Sequence, residues 1–515
     1  MKVLITTSGI GSRLGSLTDF TNKCLVRIGD RPSISHIIDH YPISTSFVIT
    51  LGHFGSYVKQ FLEMAYPERE FHFVWVDNFQ GEGSSLCYSI LQAKDNLQCP
   101  FIFHASDTLL GHEEEISCPE FNWCAGAYKK ESAQYRTVIV NKDPCGGRFI
   151  SVINEKGEIH FDYSYIGLCG IKDYKDFWTC LEEVYSGDPF NASLSDVHVI
   201  NKMIKSKPFK FQQVDKWIDV GNTNELFSAR KEFKSNLEVL DKEREAIYLL
   251  KGSVIKFFSD PAISKNRVIR ASSLAGLVPK ITASAENFYR YERVEGDTFS
   301  NTVDEQKFLS FLDWAKTNLW IHKEAKGFSK QCYDFYISKT KTRIDEYLRD
   351  KEDLSGYING VEIPPAKSML EKIDTDWLCD GLPVQFHGDF ILDNVIESEG
   401  EFCLIDWRQD FAGNLEAGDI YYDLSKLNHN LIINHGLIKR GLYNSESNNC
   451  HVLCNSLLIR CREILHDFIV KNGYDLKKVE LLSAIIWINM APLHEYPFND
   501  FLFNFGKHNL YKNMR

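Results

Sequence analysis

Through the first 230 positions, apolar residues come in short runs bounded by glycine and polar residues: Val3 to Thr6, Phe47 to Leu51, Phe71 to Val76 and Phe101 to His104. Runs of that length, rich in Val, Ile and Phe, predict β-strands. Between them, Ile34 to His40 and Ser56 to Met64 carry apolar positions at helical spacing. Strands alternating with helices predict an α/β sheet, largely parallel, with ligands at the carboxyl ends of its strands. The pattern breaks at Phe227 to Arg244, a charged stretch with few strand formers that reads as an exposed helix or helical linker. Strands return at Ser253 to Phe258 and Tyr289 to Val294. Helical periodicity then dominates from Asp304, interrupted by a strand-and-loop region at Val384 to Trp407. The expected division is residues 1–232, a linker over 233–244, and a second unit over 245–515, the latter a small β-rich lobe followed by a larger helical one.

Composition narrows the class. Of 515 residues, 44% are hydrophobic and 25% charged, which suits a globular multidomain chain and excludes disorder as its main state. The formal net charge of −12 argues against an electrostatic nucleic-acid binder. The richest apolar stretch, Leu481 to Met490, is interrupted by Ser483 and Asn489 and falls short of the ~18 residues of a membrane helix. The first residues, Met-Lys-Val-Leu-Ile-Thr-Thr-Ser-Gly, offer too short an apolar core for a signal peptide. Fourteen scattered cysteines with no CxxC pair therefore read as reduced thiols. A cytoplasmic location is expected.

The first strand runs into Ser8-Gly9-Ile10-Gly11-Ser12-Arg13-Leu14. A glycine-rich turn between strand and helix presents backbone N–H groups to phosphate, and Arg13 and Lys23 add positive charge. Taken singly, a tight turn with two surface cations explains these residues as well. The set continues, however, through Leu17-Thr18, Asn22-Lys23-Cys24-Leu25 and Ile28-Gly29-Asp30-Arg31-Pro32-Ser33-Ile34. Together these resemble the signature of the sugar-phosphate nucleotidyltransferases, a family that includes the phosphocholine cytidylyltransferases. Thr7-Ser8, Ser16 and Asn22 depart from it without removing a charged group. The resemblance covers about residues 1–232 and implies a Rossmann-like domain. It also implies Mg²⁺ held by Asp107 of His104-Ala-Ser-Asp107 and by Asp219 of Trp217-Ile218-Asp219-Val220-Gly221-Asn222-Thr223. Arg13 would hold the leaving pyrophosphate and Lys23 would bridge the α-phosphate and the acceptor. Gly9, Gly11, Gln80 and Gly81 would contact the nucleotide.

A second constellation is His387-Gly388-Asp389 with Asn394, followed by the apolar strand Phe402-Cys403-Leu404-Ile405 ending in Asp406-Trp407. Asp389 and Asn394 stand five apart, the spacing at which a kinase loop places its base and an Mg²⁺-binding amide. The combined pattern resembles the aminoglycoside phosphotransferase and choline kinase family, over roughly residues 245–515. It implies a bilobal protein-kinase-like fold, Asp389 as base, Asn394 and Asp406 on Mg²⁺, and Lys256 on the ATP phosphates. Asp419 and Asp423, in the GDxxxDL-like segment, are expected to brace the loop. The helix expected at Lys265 to Ala275 lacks a glutamate to pair with Lys256. Trp314, Trp320, Tyr333, Trp407, Tyr421 and Trp487 could form a cage for an amine, although core packing accounts for each singly.

The two resemblances imply a bifunctional enzyme. ATP would phosphorylate a small alcohol, and a second nucleoside triphosphate, CTP by preference, would be coupled to that phosphate to give an activated precursor for surface glycan synthesis. The alternative is a nucleotidyltransferase with a non-catalytic kinase-like module. The expected partners are these nucleotides, the alcohol or its phosphate and Mg²⁺ at both sites, with no nucleic acid and no membrane span; the chain could also form a homo-oligomer.

Overall fold

The computed structural model describes residues 1–129, 132–233, 243–354, 356–444 and 449–514. The chain divides into two compact units, residues 1–261 with 283–290, and residues 262–282 with 291–515.

The first unit is built on a nine-stranded sheet. Its strands are β1 (Lys2–Thr6), β2 (Ser46–Leu51), β3 (Glu70–Trp75), β4 (Phe101–Ala105), β6 (Trp123–Ala127), β7 (Thr137–Lys142), β8 (Arg148–Asn154), β9 (Tyr163–Ile171) and β10 (Lys210–Val214), in the order β3-β2-β1-β4-β9-β6-β10-β8-β7. A separate two-stranded ladder joins β5 (Thr108–Leu110) to β11 (Trp217–Asp219). The expected parallel sheet occupies one side only. Strands β3, β2, β1 and β4 are mutually parallel, whereas β9 runs antiparallel to both β4 and β6 and the hairpin of β7 and β8 extends the far edge. The four parallel strands are the ones whose apolar runs stand out in sequence. Strands β1 and β2 are buried almost throughout, as strands with both faces covered must be. β7 and β8, buried only in part, carry a weaker signal. Helices α1 (Gly55–Ala65), α2 (Leu86–Gln92), α3 (Tyr174–Gly187), α4 (Asp196–Ile204) and α5 (Thr223–Glu232) accompany the sheet.

The first compact unit runs to residue 261 and takes in residues 283–290. β12 (Glu245–Leu250) and β13 (Ser253–Phe258) form a sheet with β14 (Ile281–Ser284) and β15 (Phe288–Glu292), in the order β12-β13-β15-β14. Tyr248, Ile255, Phe257 and Phe288 of this sheet belong to the same apolar core as Val58 and Phe61 of α1. Phe61 lies 5.1 Å from the Tyr248 ring and Tyr57 lies 5.0 Å from Phe257. The Tyr248 hydroxyl donates to the Leu25 carbonyl (2.8 Å), and Leu249 N–H donates to Asp30 O (2.7 Å). Residues 234–242, most of the expected linker, lie outside the described residues; the charged stretch before them ends α5.

The second unit is mainly helical. It contains α6 (Pro261–Ser273, from Ala262 onward), α7 (Lys339–Tyr347), the hairpin of β16 (Val395–Ser398) and β17 (Glu401–Leu404), α8 (Ile420–Asn430), α9 (Leu476–Met490) and α10 (Phe498–Met514). The apolar stretch at Leu481 to Met490 is the middle of α9, buried on all sides from Leu481 to Ile488. A helix that is apolar all round belongs inside a core. Here α8 and α10 flank it: Ser483 Oγ donates to the Ser425 carbonyl at 3.1 Å, and Gly506 leaves α10 close enough that a Cβ would stand 3.0 Å from Ala484 O. No described helix is long and apolar enough to cross a membrane.

Burying a large apolar side chain contributes about 1.5–3 kcal/mol, so the fragment 1–292 should melt at least ~10 °C above the fragment 1–232. Thermal unfolding followed by circular dichroism checks this; equal melting temperatures would show that β12, β13 and β15 add nothing to the first unit's core.

Candidate functional site

In the first unit, the turn after β1 is set by two glycine-dependent approaches. Gly11 has φ +75°, and a Cβ there would stand 2.8 Å from Lys23 Cβ, so the turn and the lysine stem pack against each other only with glycine in place. Gly52 lets the chain pass Ser8, whose carbonyl oxygen would lie 2.5 Å from a Cβ at that position. Gly9 has open space around it. Among the described residues, no group accepts from the backbone N–H groups of Gly9 to Arg13, which leaves them available to an outside acceptor.

Lys23 is positioned from beneath by Asn22, which is fully buried. The Asn22 amide donates to Thr7 O (2.8 Å) and His53 O (2.6 Å), and its oxygen accepts from Cys24 N–H (3.0 Å). Asn22, one of the departures from the resembled signature, therefore supplies a side chain that ties three segments together. Lys23 Nζ then reaches Asp107 Oδ2 at 3.2 Å, and Arg13 Nη2 stands 3.6 Å from the same oxygen.

The second aspartate arrives through strand register. β5 and β11 pair antiparallel with Thr108 opposite Asp219, and Val220 N–H donates to Asp107 O at 3.0 Å, so the two carboxylates end side by side. A Cβ on Gly221 would stand 2.9 Å from Asp107 Oδ2 and 3.1 Å from both Asp219 Oδ1 and Arg13 Nη2. That glycine keeps open a space lined by both acids. His104, two residues before Ser106, is a buried pin: Tyr41 Oη and Thr108 O occupy its two ring nitrogens, and burial lowers its pKa to about 4.

The two acids are electrostatically unlike. Burial pushes Asp107 up, but Lys23 and then Arg13 outweigh it and hold that carboxyl below its ordinary value. Burial and then the neighbouring Asp107 charge raise Asp219, against hydrogen bonds from Gly221 N–H (2.8 Å) and Tyr135 Oη (3.1 Å). Two adjacent carboxylates in a partly closed space, with few protein ligands and room for phosphate oxygens, fit the hard-oxygen demand of Mg²⁺. Among the described residues, no cluster of three His, Cys, Asp or Glu side chains offers a fuller cage.

Sequence reading missed several neighbours because they come from distant segments. Besides Tyr135, Thr223 Oγ1 donates to Arg13 O at 3.2 Å, fastening the start of α5 to the glycine turn. Partial burial, then Arg13 and Arg136, lower the Lys156 ammonium, which places a further cation near the cluster. Gln80 and Gly81 sit on an exposed loop, where Gly81 has φ +82°. Phe79 of that loop packs against Gly52.

The second unit gathers Asp389, Asn394 and Asp406 around the β16–β17 hairpin. Asn394 Nδ2 donates to Asp389 O (2.9 Å) and Oδ2 (3.1 Å), and Ile405 N–H donates to Asn394 O (2.9 Å). The amide nitrogen is thus committed to Asp389, leaving the amide oxygen as the Asn394 atom suited to a cation. Lys426 of α8 pairs with Asp389 Oδ1 at 2.7 Å. Burial pulls Lys426 down, yet Asp389 and Tyr422 together outweigh it and raise the ammonium. His387 is buried and neutral, its pKa lowered to about 4 by burial; its Nε2 donates to Ile405 O and its Nδ1 accepts from Asp389 N–H.

Asp423 and Asp419 brace the loop from within. Asp423 accepts from His387 N–H (2.8 Å), Gly388 N–H (2.7 Å) and Trp320 Nε1 (3.2 Å), and burial raises its pKa to about 6. Asp419 accepts from Leu382 N–H, Tyr421 N–H and Tyr336 Oη. Asp406 has a left-handed backbone (φ +60°) and pairs with Arg267 of α6 at 3.1 Å. The helix that lacks a glutamate thus presents an arginine to Asp406. Lys256 is buried on β13 and belongs to the first unit, whereas Asp389, Asn394 and Asp406 belong to the second. The aromatic residues considered for an amine cage are mostly spent in packing: Trp407 and Trp487 are buried, and Trp320 is tied to Asp423.

No family model and no curated protein matches the chain. Solved structures align with its N-terminal part. One is a UDP-glucose pyrophosphorylase complexed with UDP-glucose, 17% identical over 45% of this chain and 97% of that one, with a TM-score of 0.39. A second is the CTP:phosphocholine cytidylyltransferase of Streptococcus pneumoniae, 16% identical over 45% and 99%, TM-score 0.39. A third is the inositol-1-phosphate CTP transferase of T. maritima, 16% identical over 45% and 97%, TM-score 0.35. Likenesses of this degree establish no family.

Asn22→Ala would leave two buried carbonyls and one N–H unpaired, at about 1–3 kcal/mol for each buried group that finds no water. Urea unfolding followed by tryptophan fluorescence should show a loss of at least ~2 kcal/mol; an unchanged midpoint would show that Asn22 does not hold the Lys23 segment.

Proposed function

We propose that the first unit transfers a nucleotidyl group from a nucleoside triphosphate to a phosphate monoester. We further propose that the second unit makes that monoester by phosphorylating an alcohol with ATP. The observation that carries the reading is the meeting of Arg13, Lys23, Asp107 and Asp219 beside a turn whose N–H groups have no acceptor among the described residues.

In the first reaction an oxygen of the monoester bonds to the α-phosphorus, and the bond from that phosphorus to the β-phosphate oxygen breaks. Charge accumulates on phosphoryl oxygens in the transition state, so fixed cations and N–H donors contribute most. Arg13 and the Gly9 to Arg13 amides hold the departing pyrophosphate. Lys23, already fixed by Asn22, bridges the α-phosphate and the incoming monoester and so holds them at bonding distance. Gln80 and Gly81 contact the nucleoside. Asp107 and Asp219 would hold Mg²⁺, which when bound neutralises phosphate charge.

In the second reaction Asp389 takes the proton of an alcohol hydroxyl as its oxygen bonds to the γ-phosphorus, and the bond from that phosphorus to the β-phosphate oxygen breaks to release ADP. Asn394 and Lys426 hold that carboxylate in place. Asn394 Oδ1 with Asp406 would hold a second Mg²⁺. The kinase product is the acceptor that the first reaction needs, which gives both halves one purpose. CTP heads the choice of nucleotide.

The Arg267–Asp406 ion pair favours a second reading, a kinase-like module that binds without catalysis, because it occupies a carboxylate assigned to the metal. Products from ATP, a second nucleotide, Mg²⁺ and an alcohol panel, followed by mass spectrometry, separate the two. Asp389→Asn should cut phosphorylation by about 10²–10⁴-fold and spare nucleotidyl transfer to a supplied monoester. Lys23→Ala should cut that transfer by about 10²–10³-fold and spare phosphorylation. ATP consumption unchanged by Asp389→Asn would leave only the binding module.

A further inference from the structure

A cavity of about 150 Å³ lies in the second unit, lined by α7, α8 and α9 and by the segment after Asp406. Four of its lining residues are cations, Lys339, Arg343, Arg408 and Lys426, and none is a carboxylate. Lys426 joins this cavity to the reaction centre, since its ammonium lies 2.7 Å from Asp389 Oδ1. Lys339 and Arg343 stand one helical turn apart on α7 and face the cavity with Phe335, one turn earlier in the chain. The Lys339 ammonium rests 4.4 Å from the Phe335 ring centre, and the Arg408 guanidinium 4.9 Å from the same ring.

These charges are only partly answered within the protein. Asp389 pairs with Lys426, and Glu346 pairs with Arg343 at 2.7 Å. Among the described residues, Lys339 and Arg408 make no ion pair with a carboxylate; Arg408 Nε donates to the Asp410 carbonyl. Burial, then Arg408, Arg343 and Lys426, pull the Lys339 ammonium well below its ordinary range, with Asp410 opposing. Gathering like charges in a half-closed space costs stability unless an opposite charge enters. A quaternary amine entering this cavity would meet four basic side chains, and Lys339 and Arg408 already cover the Phe335 ring. The larger cavity nearby, about 280 Å³, balances Arg462 and Lys512 with Glu463 and Glu480, and none of Asp389, Asn394 or Asp406 lines it.

We propose that the alcohol accepted beside Asp389 carries its own anionic group, a phosphate or a carboxylate, which Lys339, Arg343 and Arg408 bind while Lys426 lies between that group and the reacting hydroxyl. The assignment of a reaction to this site rests on the kinase reading above; the anion preference of the cavity does not. The acceptor class is then hydroxy acids and polyol phosphates rather than choline-like amino alcohols or uncharged sugars.

Calorimetric titration of the full chain tests this, with glycerol 3-phosphate as the probe and glycerol and choline as comparisons. The Lys23→Ala background removes the first unit's phosphate cluster from the measurement. Glycerol 3-phosphate should bind at least about ten-fold more tightly than either comparison, the gain expected of one charge-assisted contact. Lys339→Gln should weaken it by a similar factor, and Lys339→Arg, which keeps the charge, should restore it, separating lost charge from lost folding. Choline binding as tightly as glycerol 3-phosphate, or an affinity indifferent to Lys339→Gln, would overturn the proposal. With ATP and Mg²⁺, Lys339→Gln should raise KM for an anionic acceptor while KM for ATP holds. Failure of the kinase reading announces itself separately, as ATP consumption indifferent to Asp389→Asn.

Discussion

A carboxylate taken out of bulk water must be paired or hydrogen-bonded, or it takes up a proton. Both clusters are arranged around that requirement. Asp107 stays ionised because Lys23 and Arg13 converge on one of its oxygens, and they can do so because Gly11 yields the space for the Lys23 stem and Asn22 fixes its backbone. Asp389 is held by Lys426 at one oxygen and by Asn394 at the other. The acids without a cation in contact behave differently. Asp219 and Asp423 are both raised, and each is held by backbone N–H donors instead. The division is chemically coherent: the carboxylates with partnered charge sit where charge must be handled, and Asp423, satisfied by two amides and an indole, holds a loop in shape.

How much of this the sequence carries depends on whether a feature is local. The glycine turn and the His387 to Asn394 loop are contiguous, and contiguous geometry needs particular residue types at fixed spacing, so Gly11, Lys23, Asp389 and Asn394 could be picked out directly. The pairing of Asp107 with Asp219 spans more than a hundred residues. Only the family resemblance suggested it, and the antiparallel register of β5 and β11 supplies the physical reason. Tyr135, Lys426 and Arg267 had no local signal at all. Each is one polar residue on an otherwise ordinary element, and its partner is chosen by packing.

The same limit explains the fold. Strands β1 and β2, buried on both faces, read as unbroken apolar runs, while the partly exposed β7 and β8 do not. Composition marked a charged stretch near residue 240 as a boundary, yet composition does not report which core the next strands join. Tyr248, Phe257 and Phe288 join the first core by packing edge-on or tilted against Tyr57 and Phe61. Large aromatic rings bury the most apolar area per residue, so a few of them outweigh a solvated linker in deciding which segments form one compact unit.

Charge also limits what can be inferred from resemblance alone. A likeness to kinases acting on amines suggested an aromatic cage, but the aromatic side chains of the second unit are largely committed elsewhere: Trp407 donates to Arg267 O, Trp320 to Asp423, and Phe335 underlies two cations. An aromatic face already covered by Lys339 and Arg408 has its negative quadrupole satisfied and offers little to a third cation. In the kinase resemblance the loop motif answers to a transferred phosphate, which is common to many such sites. The cations that line the neighbouring cavity come from α7, α8 and the segment after Asp406, outside the motif. On the proposal above, acceptor identity would be set by the charge of these flanking elements, while the spacing of Asp389, Asn394 and Asp406 would speak only to the reaction.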